Sequence, residues 1–154
     1  KKKQENKKAL TKFLIKARSQ TYAGDAGKVT PLLPGSKQLE YKEGEWLYRD
    51  VYNQGNKIFA GLETVYFKGA PVWSMSYYGN FKKMTEKEAD RVLRGALIAK
   101  KDTARLWHDV EWENEGYSYT CSGYGSIDEL GGEEEISKDG QKLFFLFYAG
   151  GFTG

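Results

Sequence analysis

Two kinds of hydrophobic spacing alternate along this chain, and each occurs twice. Leu10, Phe13, Leu14 and Ala17 recur at intervals of three and four, which predicts an amphipathic helix over Lys7–Gln20. Ala89, Val92, Leu93, Ala96 and Leu97 repeat the pattern and predict a second helix over Thr85–Lys100. Thr85 and Glu88 have the spacing of a capping box, in which hydroxyl and carboxylate each satisfy an amide that the first helical turn leaves unbonded. After each helix come short segments rich in Tyr, Trp, Phe and Val, broken by glycine. The first set predicts strands near Gln38–Lys42, Glu45–Asn53, Lys57–Lys68 and Pro71–Tyr78. The second predicts strands near Asp109–Glu113, Tyr117–Gly123, Glu133–Lys138 and Leu143–Tyr148. Glu43-Gly44, Lys68-Gly69 and Asp139-Gly140 fall between them, where tight hairpins need residues that tolerate positive φ.

The two sets also match residue by residue. A shift of 71 positions lays residues 37–81 on 108–152 without a gap. Tyr48 then falls on Tyr119, Gly61 on Gly132, Glu63 on Glu134, Tyr77 on Tyr148 and Phe81 on Phe152. The helices match at an offset of 79, so the first connection carries eight surplus residues. The expected fold is α+β, a single domain over 1–154, with internal repeats at 7–81 and 85–152. Each repeat is a helix followed by a four-stranded antiparallel meander. The strands are expected in one curved sheet or two facing sheets, with both helices packed on one side. The surplus lies in TYAGDAGKVTPLLPGSK, Thr21–Lys37. Tyr22–Ser36 is expected to cross the sheet or rim its concavity, ordered, with Tyr22 and Leu32-Leu33 packing inward. Such a break in symmetry would leave one site rather than two.

Composition narrows the function classes. With 154 residues, 40% hydrophobic and 15% aromatic, the chain can bury one core. Its apolar runs are far too short to cross a bilayer, and no apolar segment follows the first lysines. Cys121 stands alone, which excludes an intramolecular disulfide and suggests a cytoplasmic setting. The net charge of +3 hides a division. Residues 1–20 hold eight basic groups against Glu5, whereas Asp109–Asp139 holds ten acids against Lys138. A nucleic-acid surface would be basic throughout, so that partner class is not expected.

Candidate chemistry is sparse. Gly24–Thr30 fails as a phosphate loop: Val29 follows the lysine where Ser or Thr is needed, and a helix precedes it instead of a strand. Gly123-Tyr124-Gly125 fails as a dinucleotide fingerprint, because Asp128 stands where the third glycine belongs. His108 is the only histidine, which disfavours histidine metal sites and Cys–His pairs, and Cys121 reads as a small buried hydrophobe. Asp128–Glu135 lacks the ligand alternation of a calcium loop. No metal or cofactor is expected. One constellation remains. Period-two alternation puts Glu63 on a face with Phe59, Gly61, Val65 and Phe67, and Asp50 on a face with Trp46, Tyr48 and Tyr52. If both faces look inward, Asp50, Glu63 and Glu134 meet Tyr48, Tyr77, Tyr119 and Tyr148. If instead Ile58, Ala60, Leu62 and Tyr66 look inward, Glu63 is solvated.

Tyr48-Arg-Asp50-Val-Tyr52, Phe59-Ala-Gly61-Leu-Glu63, Pro71-Val-Trp73 and Tyr77-Tyr78-Gly79 resemble a bacterial domain-of-unknown-function family. Thr21-Tyr22-Ala23-Gly24 and Tyr148-Ala149-Gly150-Gly151 look like its opening and its close. The resemblance implies a domain found alone or behind helix-turn-helix domains of transcriptional regulators, and it carries no established activity. The leading expectation is a non-catalytic module binding a small molecule or peptide in an aromatic-lined concavity. Its expected ligand residues are Tyr22, Tyr48, Asp50, Tyr52, Glu63, Trp73, Tyr77, Tyr119, Glu134 and Tyr148. The alternatives are a small enzyme using Glu63 and Glu134 with tyrosines, and a protein-interaction domain using the acidic strand surface.

Overall fold

A computed structural model describes residues 1–154. Its elements in chain order are α1 (Lys2–Ser19), β1 (Lys28–Val29), β2 (Lys37–Glu43), β3 (Trp46–Gln54), β4 (Ile58–Phe67) and β5 (Ala70–Asn80). Then follow α2 (Glu86–Ala99), β6 (Asp109–Asn114), β7 (Tyr117–Gly125), β8 (Glu129–Lys138) and β9 (Gln141–Phe152). All nine strands form one antiparallel sheet, in the order β1-β2-β3-β4-β5-β9-β8-β7-β6. Of the two arrangements expected, the single sheet is correct. The helix starts earlier than its apolar stripe, at Lys2, because the lysine-rich first turns need only solvent.

The hairpins follow from their turn residues. Lys68-Gly69, Glu115-Gly116 and Asp139-Gly140 each place two successive residues at positive φ, the twist that suits a two-residue connection. Gly44 is also at positive φ, between β2 and β3. Thr85 caps α2 by accepting a hydrogen bond from the Glu88 amide at 3.1 Å. Thr85→Ala is expected to cost about 1 kcal/mol, visible as a drop in Tm of about 2–4 °C. A Tm unchanged within 1 °C would show that the cap contributes nothing.

Alternation decides which face is covered. Val65 on β4, Trp73 and Met75 on β5, Ile136 on β8, and Phe144 and Leu146 on β9 are buried on one face. Against it lie Leu10, Phe13, Leu14 and Ala17 of α1 and Ala89, Val92, Leu93 and Ala96 of α2, in one continuous core. Phe13 stacks on Tyr41 and Trp46 at the β2–β3 end, while Gly95 of α2 lets Trp112 of β6 approach closely at the other. The opposite face is open, and Leu62, Tyr78 and Phe147 are exposed there.

The surplus connection behaves only partly as expected. Its β1 pairs with the edge of β2, Lys28 opposite Leu39. Tyr22 turns inward and bonds Asp90 of α2 at 2.7 Å. Leu32 and Leu33 do not pack inward; they are 70% and 56% exposed. The reason is β1 itself: pairing with the sheet edge holds the segment outside the core, and the turn after it points away.

Candidate functional site

Cross-strand register brings the predicted residues into rows. One row on the covered face runs Tyr52, Gly61, Tyr77, Tyr148, Gly132, Gly123 across β3, β4, β5, β9, β8 and β7. Tyr77 and Tyr148 face each other at its centre, and each lies over the glycine beside it. Glycine is required there, since a Cβ at Gly61 or Gly132 would occupy the space of the tyrosine ring end. The neighbouring row sets Asp50 of β3 opposite Glu63 of β4.

Both glutamates are buried, Glu63 at 1% and Glu134 at 0% exposure, so the inward orientation is the observed one. Each is held by an arginine that the sequence did not single out. Arg18 of α1 reaches Glu63 Oε2 through Nε at 3.1 Å and Nη2 at 2.8 Å. Arg105, in the connection after α2, donates Nε to Glu134 Oε1 at 2.6 Å, and the Tyr119 hydroxyl bonds Glu134 Oε2. Arg18 also donates to the Arg105 carbonyl at 2.9 Å, tying the two pairs together. Burial opposes the charge on Arg105, yet Glu134 beside it raises its pKa on balance.

Asp50 has no such partner. Its Oδ1 accepts the Tyr77 hydroxyl at 2.6 Å, and the residue is 6% exposed. Its Oδ2 makes no hydrogen bond and is not fully sealed from solvent. Burial, followed by the charge of Glu63, raises its pKa from 3.8 to about 7. Burial likewise raises Tyr77 well above its ordinary value and pushes Tyr52 up to about 12.

Asp50 lines a cavity of about 420 Å³ between α2 and the β2–β5 half of the sheet, roofed by Lys28, Val29, Pro31 and Ser36. Phe59, Phe81, Phe144, Leu146, Leu39 and Leu93 supply its apolar wall. Of the ten predicted ligand residues, Tyr22, Asp50, Tyr52 and Tyr77 line it. Tyr48 and Glu63 line a small cleft of about 30 Å³ that it shares Asp50 and Arg105 with. The remaining four lie elsewhere. Trp73 is fully buried and donates its indole N–H to the Ile127 carbonyl at 3.2 Å. Tyr119 and Glu134 belong to the Arg105 pair, and Tyr148 donates to the Leu106 carbonyl at 2.7 Å.

The corresponding place in the other half of the sheet is filled. There Cys121 stands 71 positions after Asp50, and its sulfur lies 3.2 Å from the Tyr148 hydroxyl. Leu106 is 1% exposed, and its carbonyl would lie 2.6 Å from a Cβ at Gly123, the position matching Tyr52. The post-α2 connection therefore covers what the post-α1 connection leaves open. Burial raises the Cys121 pKa, as expected of a small apolar-like side chain.

Cavity residues missed by sequence reasoning include Arg94 and Asp90. Arg94 lies 4.7 Å from the Tyr22 ring centre and pairs with Asp25 at 3.3 Å and Asp90 at 3.8 Å. Their helical spacing of four was legible as an ion pair, but not as a wall.

The chain belongs to a family described as a domain of unknown function (DUF5680), whose model matches residues 50–153, more than half of the sequence. Comparison with curated proteins and with solved structures finds no match to either.

Proposed function

We propose that this chain is a non-catalytic binding module that holds a small organic molecule in the cavity beside Asp50 and Tyr77. The observation that carries the reading is the asymmetry of the sheet: Leu106 fills the space near Cys121 and Tyr148, while the matching space near Asp50 stays open. A buried polar group facing an apolar chamber of about 420 Å³ is the arrangement of small-molecule sites in general. Duplication of one helix-plus-meander unit belongs to the same proposal. Its support is the central Tyr77–Tyr148 pair and the bulges at Val65/Tyr66 and Ile136/Ser137, again 71 apart. Against a strict duplication stand β1, which has no counterpart, and the unrelated origins of Arg18 and Arg105. A role as a bacterial cytoplasmic sensor, of the kind that accompanies helix-turn-helix regulators, completes the proposal.

The enzyme alternative gains little from Glu63 and Glu134, since each is neutralised by an arginine and neither opens into the main cavity. Asp109, Glu111 and Glu113 are exposed on β6, where charge protects a sheet edge from unwanted pairing without any partner.

Val29 is 39% exposed and roofs the cavity, so Val29→Trp should block the chamber while leaving the core intact. In a thermal-shift screen of small metabolites, backed by native mass spectrometry, wild type should be stabilised by at least one compound and V29W by none. A wild type unmoved by every compound, with no retained mass, would overturn the proposal.

A further inference from the structure

The buried charges around the cavity do not balance. Asp50, Glu63 and Glu134 form a cluster with Arg18 and Arg105, three carboxyls against two guanidiniums. The guanidiniums are committed to the two glutamates at 2.8 and 2.6 Å. Asp50 receives only the neutral Tyr77 hydroxyl. Two of the other cations on the cavity wall are also engaged. Arg94 is held by Asp25 and Asp90, and Lys37 pairs with Glu86 at 3.7 Å and lies over the Tyr52 ring. Lys28 lines the cavity without an ion pair, but it is exposed to solvent on the outermost strand of the sheet. An ionised Asp50 therefore lacks a salt-bridge partner, and the cavity that it lines is where one could stand.

We infer that the ligand of this cavity carries a protonated amine that pairs with Asp50, with an apolar body lying against Phe59, Phe81 and Leu146. The inference rests on the binding reading above and narrows it to a ligand class. A buried cation supplies the third positive charge of the cluster. Aromatic side chains also line the cavity, among them Phe59 and Tyr77, and aromatic rings attract ammonium groups. A carboxylate ligand would add a fourth negative charge, and an alcohol would leave the imbalance in place. Because burial and the Glu63 charge hold Asp50 partly protonated at neutral pH, pairing with an ammonium should expel that proton. The charged and titratable groups facing Asp50 are Glu63, Arg18, Arg105, Tyr48, Tyr52 and Tyr77.

The test uses three probes with one body: 4-phenylbutylamine, 4-phenylbutanol and 4-phenylbutanoate, titrated calorimetrically into the full chain. The amine should bind at least tenfold more tightly than the alcohol or the acid, since a hydrogen-bonded charge pair contributes about 1.5 kcal/mol or more. Asp50→Asn should lose at least tenfold for the amine and little for the alcohol. Asn can still accept the Tyr77 hydroxyl, which favours folding of the variant. In wild type, repeating the titration in buffers of different ionisation enthalpy should reveal proton release at pH 7, a readout that needs no variant. Alcohol or acid binding as tightly as the amine, and abolished by V29W, would overturn the amine assignment while sustaining the cavity as a site. Amine binding without proton release, or undiminished in D50N, would also overturn it. No binding by any probe would count against both readings.

Discussion

Arg105→Met should destabilise the protein by about 3–5 kcal/mol, because it strands the carboxylate of Glu134 in the interior without its cation. Arg105 is 9% exposed and Glu134 is 0% exposed, so water cannot replace the lost partner. Tyr119 remains, but a single hydroxyl donor supports a buried carboxylate far less well than a guanidinium does. The double variant Arg105→Met/Glu134→Gln should recover a large part of the loss. It removes the stranded charge while keeping an acceptor for Tyr119. Urea unfolding of wild type, single and double variants separates these expectations. A single variant within 1 kcal/mol of wild type would mean that the pair is not a structural element, and a double variant no better than the single would mean that charge is not the cause.

The second large effect concerns pH. The carboxyl of Asp50 is raised from 3.8 to about 7 by burial and by the neighbouring Glu63. The folded state thus holds a proton that the unfolded chain gives up at lower pH. Unfolding releases it between about pH 4 and pH 7, so stability falls as pH rises through that window and levels off above it. The whole effect is up to about 4 kcal/mol. Asp50→Asn has no proton to lose. The stability of wild type minus that of D50N should therefore drop by several kcal/mol between pH 4 and pH 8, with the variant the more stable at the upper end. Titrating groups remote from Asp50 cancel in the difference, leaving Asp50 and its coupling to Glu63. A difference that stays flat across the range would show that Asp50 is not held in this way. Because the same group faces the cavity, a bound amine should reduce the effect by giving the charged form a partner.

The parts of the fold that a local pattern can encode were legible. Helical spacing in Leu10–Ala17 and Ala89–Leu97 places both helices, and Thr85 marks the start of the second. Positive-φ pairs such as Lys68-Gly69 mark hairpins whose two strands then fall into register. The period-two pattern around Glu63 showed which residues share its face but left open whether that face looks inward, which the burial of Glu63 decides. The same pattern could not say which tyrosines meet a cavity. Trp73 and Tyr77 share one face of one strand, yet the first is sealed by Ile127 and the second opens beside Asp50. The difference comes from the segments that pass overhead.

Sequence alone determined both helices, every strand except β1, their antiparallel order within each meander, and the shift of 71 that lays Tyr77 on Tyr148. These follow from interactions between residues close in the chain, which periodicity and turn chemistry record directly. Tertiary structure alone decided that all strands join one sheet through β5 and β9, and that Arg18 and Arg105 supply the counter-charges for Glu63 and Glu134. It also decided that Leu106 closes one half while the other half keeps a cavity beside Asp50. Partners such as Arg105 and Glu134 are 29 residues apart, and Arg18 and Glu63 are 45 apart. No local period links them. Their choice is made by where two irregular connections land on the covered face of the sheet, and that is also what leaves the cavity beside Asp50.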